Sequence, residues 1–268
     1  MITMHKFSFI CVTLLAAGII NAQNIRVAMG KKYKVLTDTK TISGMAIMGQ
    51  QADVNTNSTS IVEIEVKQIN AKGYTLASSL KRITGSVNAM GQEQNFDSDK
   101  ESNRNDPQML EVFKMLNQPQ EITVENGRTI SKTELSNYAP QLGGDNSVDA
   151  AKLILALPQD QLKKGYHWAD SIISAETSVI NQYTITNVEN TQVEVTVNTD
   201  LKISGTIKQS GIEIKQKMTG NTTSLRIYNT RSGLLISERS SIDMSGTAEV
   251  MGMNAPVTVK GTIMTTVE

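Results

Sequence analysis

Apolar and polar residues alternate with a period of two through most of this 268-residue chain. The alternation is regular where Val62, Ile64 and Val66 are separated by glutamates, and it recurs in residues 33–48 and 168–268. This period is typical of strands that bury one face. The chain is therefore predicted to be mainly β.

Two short Gly-x-x-aromatic sequences each precede a predicted strand. Gly30 stands three residues before Tyr33, and Gly165 stands three residues before Trp168, the only tryptophan. We expect both glycines to form turns, and both aromatic rings to anchor a first strand against the core. The alternation in the first strand predicts that the following residues share one face: Tyr33, Val35, Thr37, Ile42, Gly44, Ala46 and Met48.

Residues 101–164 interrupt the β-pattern with apolar residues at helical spacing. The Asp106-Pro107 pair supplies an N-cap and the residue preferred at the first helical position, so we predict a helix over 107–117. Ser147 caps a second predicted helix over 148–156.

Between these helices, Asn126 and Gly127 predict a type I′ hairpin, because both central positions of that turn require a positive φ. Residues 133–138 are a candidate for a third, single-turn helix. The predicted fold class is mainly β, an antiparallel open or partial barrel with two or three short helices in a central insert.

The two β-rich halves contain similar short sequences, which we call landmarks, in the same order. This shared order predicts that the barrel is built from a duplicated β-unit. The landmarks pair as Ile42-Ser43-Gly44 with Ile203-Ser204-Gly205, Thr59-Ser60-Ile61 with Thr223-Ser224-Leu225, Gly73-Tyr74 with Gly233-Leu234, and Met90-Gly91 with Met251-Gly252. The alternative is that the similarity arises without duplication, because glycine and serine recur at the turns of any β-protein.

Two sets of glycines in this pattern carry structural predictions. Those predicted to form hairpin turns are Gly49, Gly91, Gly211 and Gly252, and those predicted to form bends or bulges are Gly44, Gly85, Gly205 and Gly246. The predicted divisions are a signal peptide at 1–22, a first β-unit at 23–100, the insert at 101–164 and a second β-unit at 165–268. Residues 23–268 are expected to form one compact domain.

The N-terminal segment has the pattern of a cleavable secretory signal. A short basic start at His5 and Lys6 precedes an apolar run that is too short to span a bilayer, and cleavage is expected after Ala22. The residue before Cys11 is Ile10, whereas a lipobox requires a small residue there. We therefore expect a periplasmic or secreted protein without a lipid anchor, and an uncleaved membrane anchor is the alternative.

The charge and composition of the chain limit the classes of partner that it is expected to bind. Removing Lys6 with the signal leaves 25 Lys and Arg against 26 Asp and Glu. A nearly neutral chain with scattered charges argues against nucleic acid as a partner. Membrane contact is expected to be peripheral at most.

An acidic stretch at the end of the first β-unit partly fits a calcium loop. Oxygen-bearing side chains occupy alternate positions from Asp97 through Asp99 to Asn103. The match is incomplete, because Ser102 stands where such a loop needs glycine and Gln108 where it needs a bidentate glutamate. The favoured interpretation is a solvated crossover, and calcium near Asp97 and Asp99 remains open.

Methionine pairs at Met45 and Met48, and at Met251 and Met253, have spacings that Cu(I) sites use. No histidine accompanies either pair, so we interpret the methionines as adaptable filler of a broad hydrophobic face. No metal ligand is predicted.

His167 and Asp170 are the nearest approach to a catalytic pair. Residues three apart in a strand point to opposite faces, so they are not expected to act together. No nucleophile-elbow motif is present either. We predict no catalytic residues, no cofactor and no enzyme activity.

Three short motifs carry a resemblance to a known family. They are Leu157-Pro158, the sequence from Gly165 to Trp168, and Phe96-Asp97-Ser98-Asp99. Together with the secretory signal they resemble a family of uncharacterised secreted proteins from Bacteroidetes. The chain departs from that pattern at Tyr166, where an aspartate is usual. The resemblance implies secretion and no established activity.

The layout is also similar, at the level of the fold, to periplasmic lipoprotein carriers. That likeness implies an open β half-barrel with helices on its concave side. It does not assign a function.

The two predicted helices lack a strongly polar face, and their apolar residues are the candidate ligand-lining positions. These are Met109, Leu110, Phe113, Leu153 and Ile154. Such helices either line or lid an apolar cavity against the sheet, or fill the barrel as ordinary core. The favoured function is a structural or interaction module that contacts an envelope protein. The alternative is a module that binds or carries an apolar, lipid-like ligand in the concave face of the sheet.

Overall fold

The computed structural model describes residues 26–47, 50–89, 91–105, 110–132, 150–157, 159–209, 212–250 and 252–268. The predicted signal peptide at 1–22, Met109 and the predicted turn at 133–138 lie outside these ranges. So do the predicted starts of both helices.

Twelve strands account for most of the described chain. They are β1 Lys32–Ile47, β2 Gln50–Asn70, β3 Gly73–Ala89, β4 Gln92–Asp97, β5 Gln120–Glu125, β6 Arg128–Lys132, β7 His167–Ile173, β8 Thr177–Val188, β9 Gln192–Gln209, β10 Ile212–Asn229, β11 Leu235–Val250 and β12 Met253–Val267. The helices are α1 Leu110–Met115 and α2 Ala150–Leu153, with 3₁₀ turns at Glu101–Asn105 and Gln159–Gln161.

Both helices end earlier than the sequence predicted. Residue Asn117 has a φ of 61°, a left-handed conformation that is common just after a helix, so α1 does not extend to 117. α2 ends at Leu153 instead of 156, because Ile154 forms an isolated β-bridge with Leu234. Backbone pairing with the sheet replaces the last predicted helical turn.

All strands belong to one antiparallel sheet in the order β6-β5-β3-β2-β1-β12-β11-β10-β9-β8-β7, and β4 pairs separately with β3. Within the described residues, β6 and β7 are the two edges, and they are not paired with each other. The sheet is therefore not closed into a barrel. The predicted fold class, mainly β with an open antiparallel sheet and two short helices, is confirmed, whereas the duplication stays a prediction.

Alternate residues of every strand lie on one face, which we call the inner face because it carries the buried Val35, Val62 and Val195. Pairing between β1 and β2 continues without a register shift through the whole of β1. Tyr33 and Ile42 therefore lie on opposite faces, and Ile42 is 55% exposed. The prediction that they share a face is wrong, because nothing in the strand shifts the alternation by one residue.

The main hydrophobic core covers one end of the inner face, which we call the core end. It joins α2 to residues of β1, β2, β3, β5, β9 and β10. Tyr33 is buried there, and Trp168 packs against the same cluster. Gly30 and Gly165 have φ values of 74° and 86°, so both form the predicted turns before the anchoring aromatic residues.

The glycines divide into turn positions and positions of close strand contact. Gly91 and Gly252 have φ near +80° and form hairpin turns, as predicted; Gly49 and Gly211 lie outside the described residues. Gly85 and Gly246 keep regular pairing, so neither is a bulge. They permit close approach instead: a Cβ on Gly246 would lie 1.9 Å from the backbone oxygen of Lys217.

Replacing Gly246 with Ala is expected to lower the free energy of unfolding by about 1–3 kcal/mol, because the new methyl group overlaps rigid backbone. Gly205→Ala is the matched control, because its Cβ would be 3.6 Å from Glu176 Oε2, an ordinary contact. The control should leave stability unchanged or raise it by up to about 1 kcal/mol. Urea unfolding measures both, and equal losses would contradict this account of Gly246.

Candidate functional site

The two edges of the sheet face one cavity of about 380 Å³, which we call the seam cavity. Its wall combines the tip of the β5–β6 hairpin at 126–129, the segment 151–157, and side chains of β7 to β10. Since side chains near both edges line one cavity, the sheet curls towards its inner face. The seam cavity is the space left where the edges β6 and β7 do not meet.

Hydrogen bonds from distant strands hold the 150–157 segment in this gap. The Tyr74 hydroxyl donates to the carbonyl of Ala150 at 2.6 Å, and the Tyr228 hydroxyl donates to the carbonyl of Lys152 at 3.0 Å. Leu155 N–H donates to the carbonyl of Gly233 at 2.8 Å. These bonds satisfy backbone groups that a helix of four residues leaves unpaired.

A buried ionic group lies behind the same segment. The Glu238 side chain is 1% exposed, and its carboxylate accepts hydrogen bonds from Lys152 on α2 and from Arg226 Nε, the latter at 2.8 Å. Burial raises the pKa of Glu238, but the two cations outweigh burial and hold the pKa below its ordinary value. Lys152 and Arg226 also line the seam cavity.

Aromatic and polar side chains form the wall on β7 and β8. The rings of Trp168 and Tyr183 stack at 4.8 Å with an interplanar angle of 3°. Asp170 accepts hydrogen bonds from the Tyr183 hydroxyl at 2.9 Å and from Asn181 Nδ2 at 2.7 Å. Burial, and next the Asp170 carboxylate, raise the pKa of Tyr183, so this hydroxyl remains protonated and donates to Asp170 at neutral pH.

His167 does not contribute to this wall. It is exposed on the outer face of β7, whereas Asp170 and Trp168 lie on the inner face. The predicted opposite orientation of His167 and Asp170 is confirmed.

Beyond Ile172, the seam cavity continues onto two rungs of apolar side chains on the inner face. We call this surface the distal trough. The first rung contains Ile172, Val179, Leu201, Met244, Val259 and Val54, and the second contains Ile203, Met218, Val257 and Met45. Among the residues that the structure describes, neither hydrophobic cluster includes these side chains. Most are half-buried, and Ile172 is 51% exposed.

The opposite face of the same strands is mainly polar at this level, and its exposed apolar residues include Ile42 and Ile180, which are 55% and 39% exposed. Asp53, Lys202, Asp243, Thr258 and Lys260 are all exposed there. The sheet therefore has an apolar inner face and a mainly polar outer face at its distal end.

The sequence-predicted ligand-lining residues are not gathered at one place. Leu110 is 44% exposed, and Phe113 packs against a small separate cluster on β3 and β4. Leu153 is fully buried in the main core, and Ile154 lines the seam cavity. Met109 lies outside the described residues.

Sequence reasoning did not identify most of the cavity wall. Tyr183 on β8 and Arg226 on β10 were not singled out from the sequence. Trp168 was expected to anchor the core, Asp170 was considered with His167, and Ile154 was predicted to line a ligand. The register between paired strands brings the residues of the cavity wall together, and no local sequence motif encodes that register. Trp168 and Asp170 are two residues apart in one strand, so their side chains lie on the same face.

The acidic stretch considered for calcium is occupied by an arginine. Arg82 Nε lies 2.9 Å from Asp99, and its Nη2 lies 3.3 Å from Asp97. A backbone hydrogen bond from Asp99 and the nearby Arg82 hold the pKa of Asp97 below its ordinary value. Across the described ranges, no group of three or more His, Cys, Asp or Glu is placed to hold a metal ion.

The methionines considered for copper are placed apart. Met45 lies in the distal trough, and Met253 is 45% exposed. Met48 and Met251 lie outside the described residues. Met45 therefore has the position expected of a side chain on a broad hydrophobic face.

Comparison with solved structures gives a fold-level likeness. Lipovitellin, in a structure concerned with its lipid–protein interactions, is similar over 90% of this chain with a TM-score of 0.53 and 13% identity. The chain spans a quarter of the lipovitellin chain. An outer-membrane channel from Pseudomonas putida F1 aligns over 91% of this chain and 97% of its own, with 8% identity and a TM-score of 0.30.

No curated protein matches this chain. In the described part of the chain, no helix combines the length and apolar character needed to span a membrane. A domain of a family of unknown function (DUF6263) is found at residues 149–235, the segment that supplies α2, β7 and most of the seam cavity wall.

Proposed function

We propose that this protein binds an apolar, lipid-like ligand in the distal trough. The observation that carries the proposal is the row of Val, Leu, Ile and Met side chains on an inner face that the described core does not reach. A sheet with one polar and one apolar face normally packs its apolar face against another layer. A contiguous apolar surface left open is typical of a binding site.

The composition of the distal trough supports a ligand without a fixed shape. Met45, Met218 and Met244 come from three strands, and methionine adapts its unbranched side chain to irregular partners. Gly220 lies between Leu201 and Met244 on one rung, and the Met244 side chain covers it, since a Cβ on Gly220 would lie 2.7 Å from Met244 Cγ. Long apolar chains suit such a surface better than a rigid planar compound.

The likeness to lipovitellin supports the proposal at the level of fold. The structure of that protein is concerned with lipid–protein interactions, and the similarity extends over 90% of this chain. With 13% identity, the likeness transfers no residue and no ligand to this chain.

We propose a binding role rather than an enzymatic one, for a periplasmic or secreted protein. The location rests on the signal-like segment at 1–22. The binding role rests on the apolar surface of the distal trough. The polar groups Asp170, Tyr183 and Glu238 are each engaged in structural hydrogen bonds, which supports a binding role over a catalytic one.

A second candidate function is the interaction module favoured by the sequence. The edge strand β7 carries Ile172 and Ile173, which are 51% and 72% exposed. An exposed apolar edge strand is a surface to which another strand can pair. The experiment below separates this role from ligand binding.

Nile red, a neutral apolar dye, is expected to bind the mature wild-type protein with increased fluorescence. Leu201→Glu should weaken dye binding by about tenfold or more, because the ligand would have to desolvate a carboxylate in the distal trough. Asn198→Glu is the matched control, since it adds the same charge to the exposed outer face of the same strand. It should leave dye binding unchanged.

Native mass spectrometry and organic extraction of protein from its own host provide an independent measurement. A carried lipid is the expected result. If the wild-type protein binds no dye and carries no extractable lipid, the interaction module is the better account.

A further inference from the structure

We propose that the ligand is an anionic amphiphile, with its charged head group in the seam cavity and its tail in the distal trough. This inference rests on the proposed function and adds the chemistry and orientation of the ligand. It is carried by the charges of the seam cavity and by the continuity of that cavity with the trough at Ile172.

The wall of the seam cavity is cationic. Arg128, Lys152 and Arg226 line it, whereas Asp170 is the one carboxylate among the described lining residues. Asp170 already accepts hydrogen bonds from Tyr183 and Asn181. Because cations outnumber carboxylates in this wall, the cavity favours a ligand with a carboxylate or phosphate head group over one with an ammonium group.

Glu238 balances part of this charge from behind the wall. One of its carboxylate oxygens accepts a hydrogen bond from Lys152, and the other accepts one from Arg226 Nε. An ammonium carries three N–H donors, and Glu238 accepts one of those of Lys152. Arg128 stands at the tip of the β5–β6 hairpin with an exposed side chain, at the opening of the cavity. An anion entering the cavity would thus meet Arg128 first and Lys152 at the inner wall.

The distance from the head site to the trough fits a long acyl chain. Arg226 and Gly220 lie on the same face of β10, six residues apart, which corresponds to about 20 Å along a strand. Gly220 belongs to the rung of Leu201 and Met244. Trp168, Asp170 and Ile172 line the path between the two ends on the β7 side, and Asp170 is already hydrogen-bonded to Tyr183 and Asn181.

Ligand charge is tested by comparing oleate with its uncharged methyl ester in displacing Nile red from the mature protein. Oleate is expected to bind about tenfold more tightly, because only the carboxylate is attracted by the cavity cations. Equal displacement by the two compounds would overturn the head-group assignment while leaving apolar binding intact. If neither compound displaces the dye and the dye itself does not bind, the proposed function fails first.

Ligand orientation is tested with Trp168, whose fluorescence reports only this site because no other tryptophan is present. Palmitate with bromine on the carbon next to the carboxylate should quench Trp168 more than palmitate with bromine at the far end of the chain. Equal quenching, or stronger quenching by the far-end bromine, would overturn the orientation.

Arg128→Gln should reduce the preference for oleate over methyl oleate by about fivefold, whereas Arg128→Lys should retain it. Lys260→Gln removes a cation from the outer face and serves as the control, with the preference unchanged. The assignment is overturned if Arg128→Gln leaves the preference intact, or if Lys260→Gln lowers it equally.

Discussion

Replacing Glu238 with Gln is expected to lower the free energy of unfolding by about 3–5 kcal/mol. The carboxylate is 1% exposed and is the shared hydrogen-bond partner of Lys152 and Arg226, whose side chains are 16% and 13% exposed. Removing its charge would leave two largely buried cations facing each other without compensation. The effect should be large because Lys152 belongs to α2, so the repulsion also acts on the anchoring of the 150–157 segment.

Glu249→Gln provides the matched control. Glu249 lies on the same strand and pairs with Lys215 at 3.2 Å, but both side chains are well exposed. Exposed pairs contribute about 0–1 kcal/mol. Urea unfolding at neutral pH measures both variants, and a loss below about 1 kcal/mol for Glu238→Gln would show that the buried group is not a net anchor.

The same group predicts how stability changes in acid. Because the pKa of Glu238 in the folded protein is below its ordinary value, its contribution is present above the unfolded-state pKa and is lost as pH falls through the folded-state pKa. Wild-type stability should therefore decline in the acid range, and Glu238→Gln should decline less steeply there.

Local signals in the sequence were sufficient for the elements that depend on local chemistry. The Asn126-Gly127 hairpin joins β5 and β6 with φ values of 51° and 75°, as a type I′ turn requires. The Gly30 and Gly165 turns and the alternation of Val62, Ile64 and Val66 are equally local, and each is confirmed.

The predictions that failed depended on contacts between distant parts of the chain. Ile154 leaves the helical pattern because a bridge to Leu234 replaces the next helical hydrogen bond. The face assigned to Ile42 was wrong because continuous pairing with β2 fixes the phase of the whole of β1. In both cases tertiary backbone pairing outweighed a local tendency.

The candidate site was the least predictable part for the same reason. Lys152 and Glu238 are 86 residues apart in sequence, and Tyr74 and Ala150 are 76 apart. Strand order and register bring these groups together, and neither is visible in the pattern of any single strand. The alternation is sufficient to assign a residue such as Asp170 to one face of its strand. It does not indicate which residues of other strands lie next to that side chain.

The predicted helices pose a choice that stability measurements can decide. If α2 fills the core end as ordinary core, Leu153→Ala should lower the free energy of unfolding by about 2–5 kcal/mol, because it opens a cavity at a side chain with 0% exposure. If α2 is only a lid, the same change should cost far less.

Leu110→Ala is the matched control for Leu153→Ala, since it makes the same truncation at a helical residue that is 44% exposed. It should change stability by no more than about 0.5 kcal/mol. Thermal and urea unfolding, run on both variants, compare the two helices directly. The sequence treated both leucines as candidate ligand-lining residues, but the structure gives them different surroundings, so the two losses should differ several-fold. Small and similar losses would indicate that α2 covers the sheet loosely, and the lid would then be the better description of the 150–157 segment.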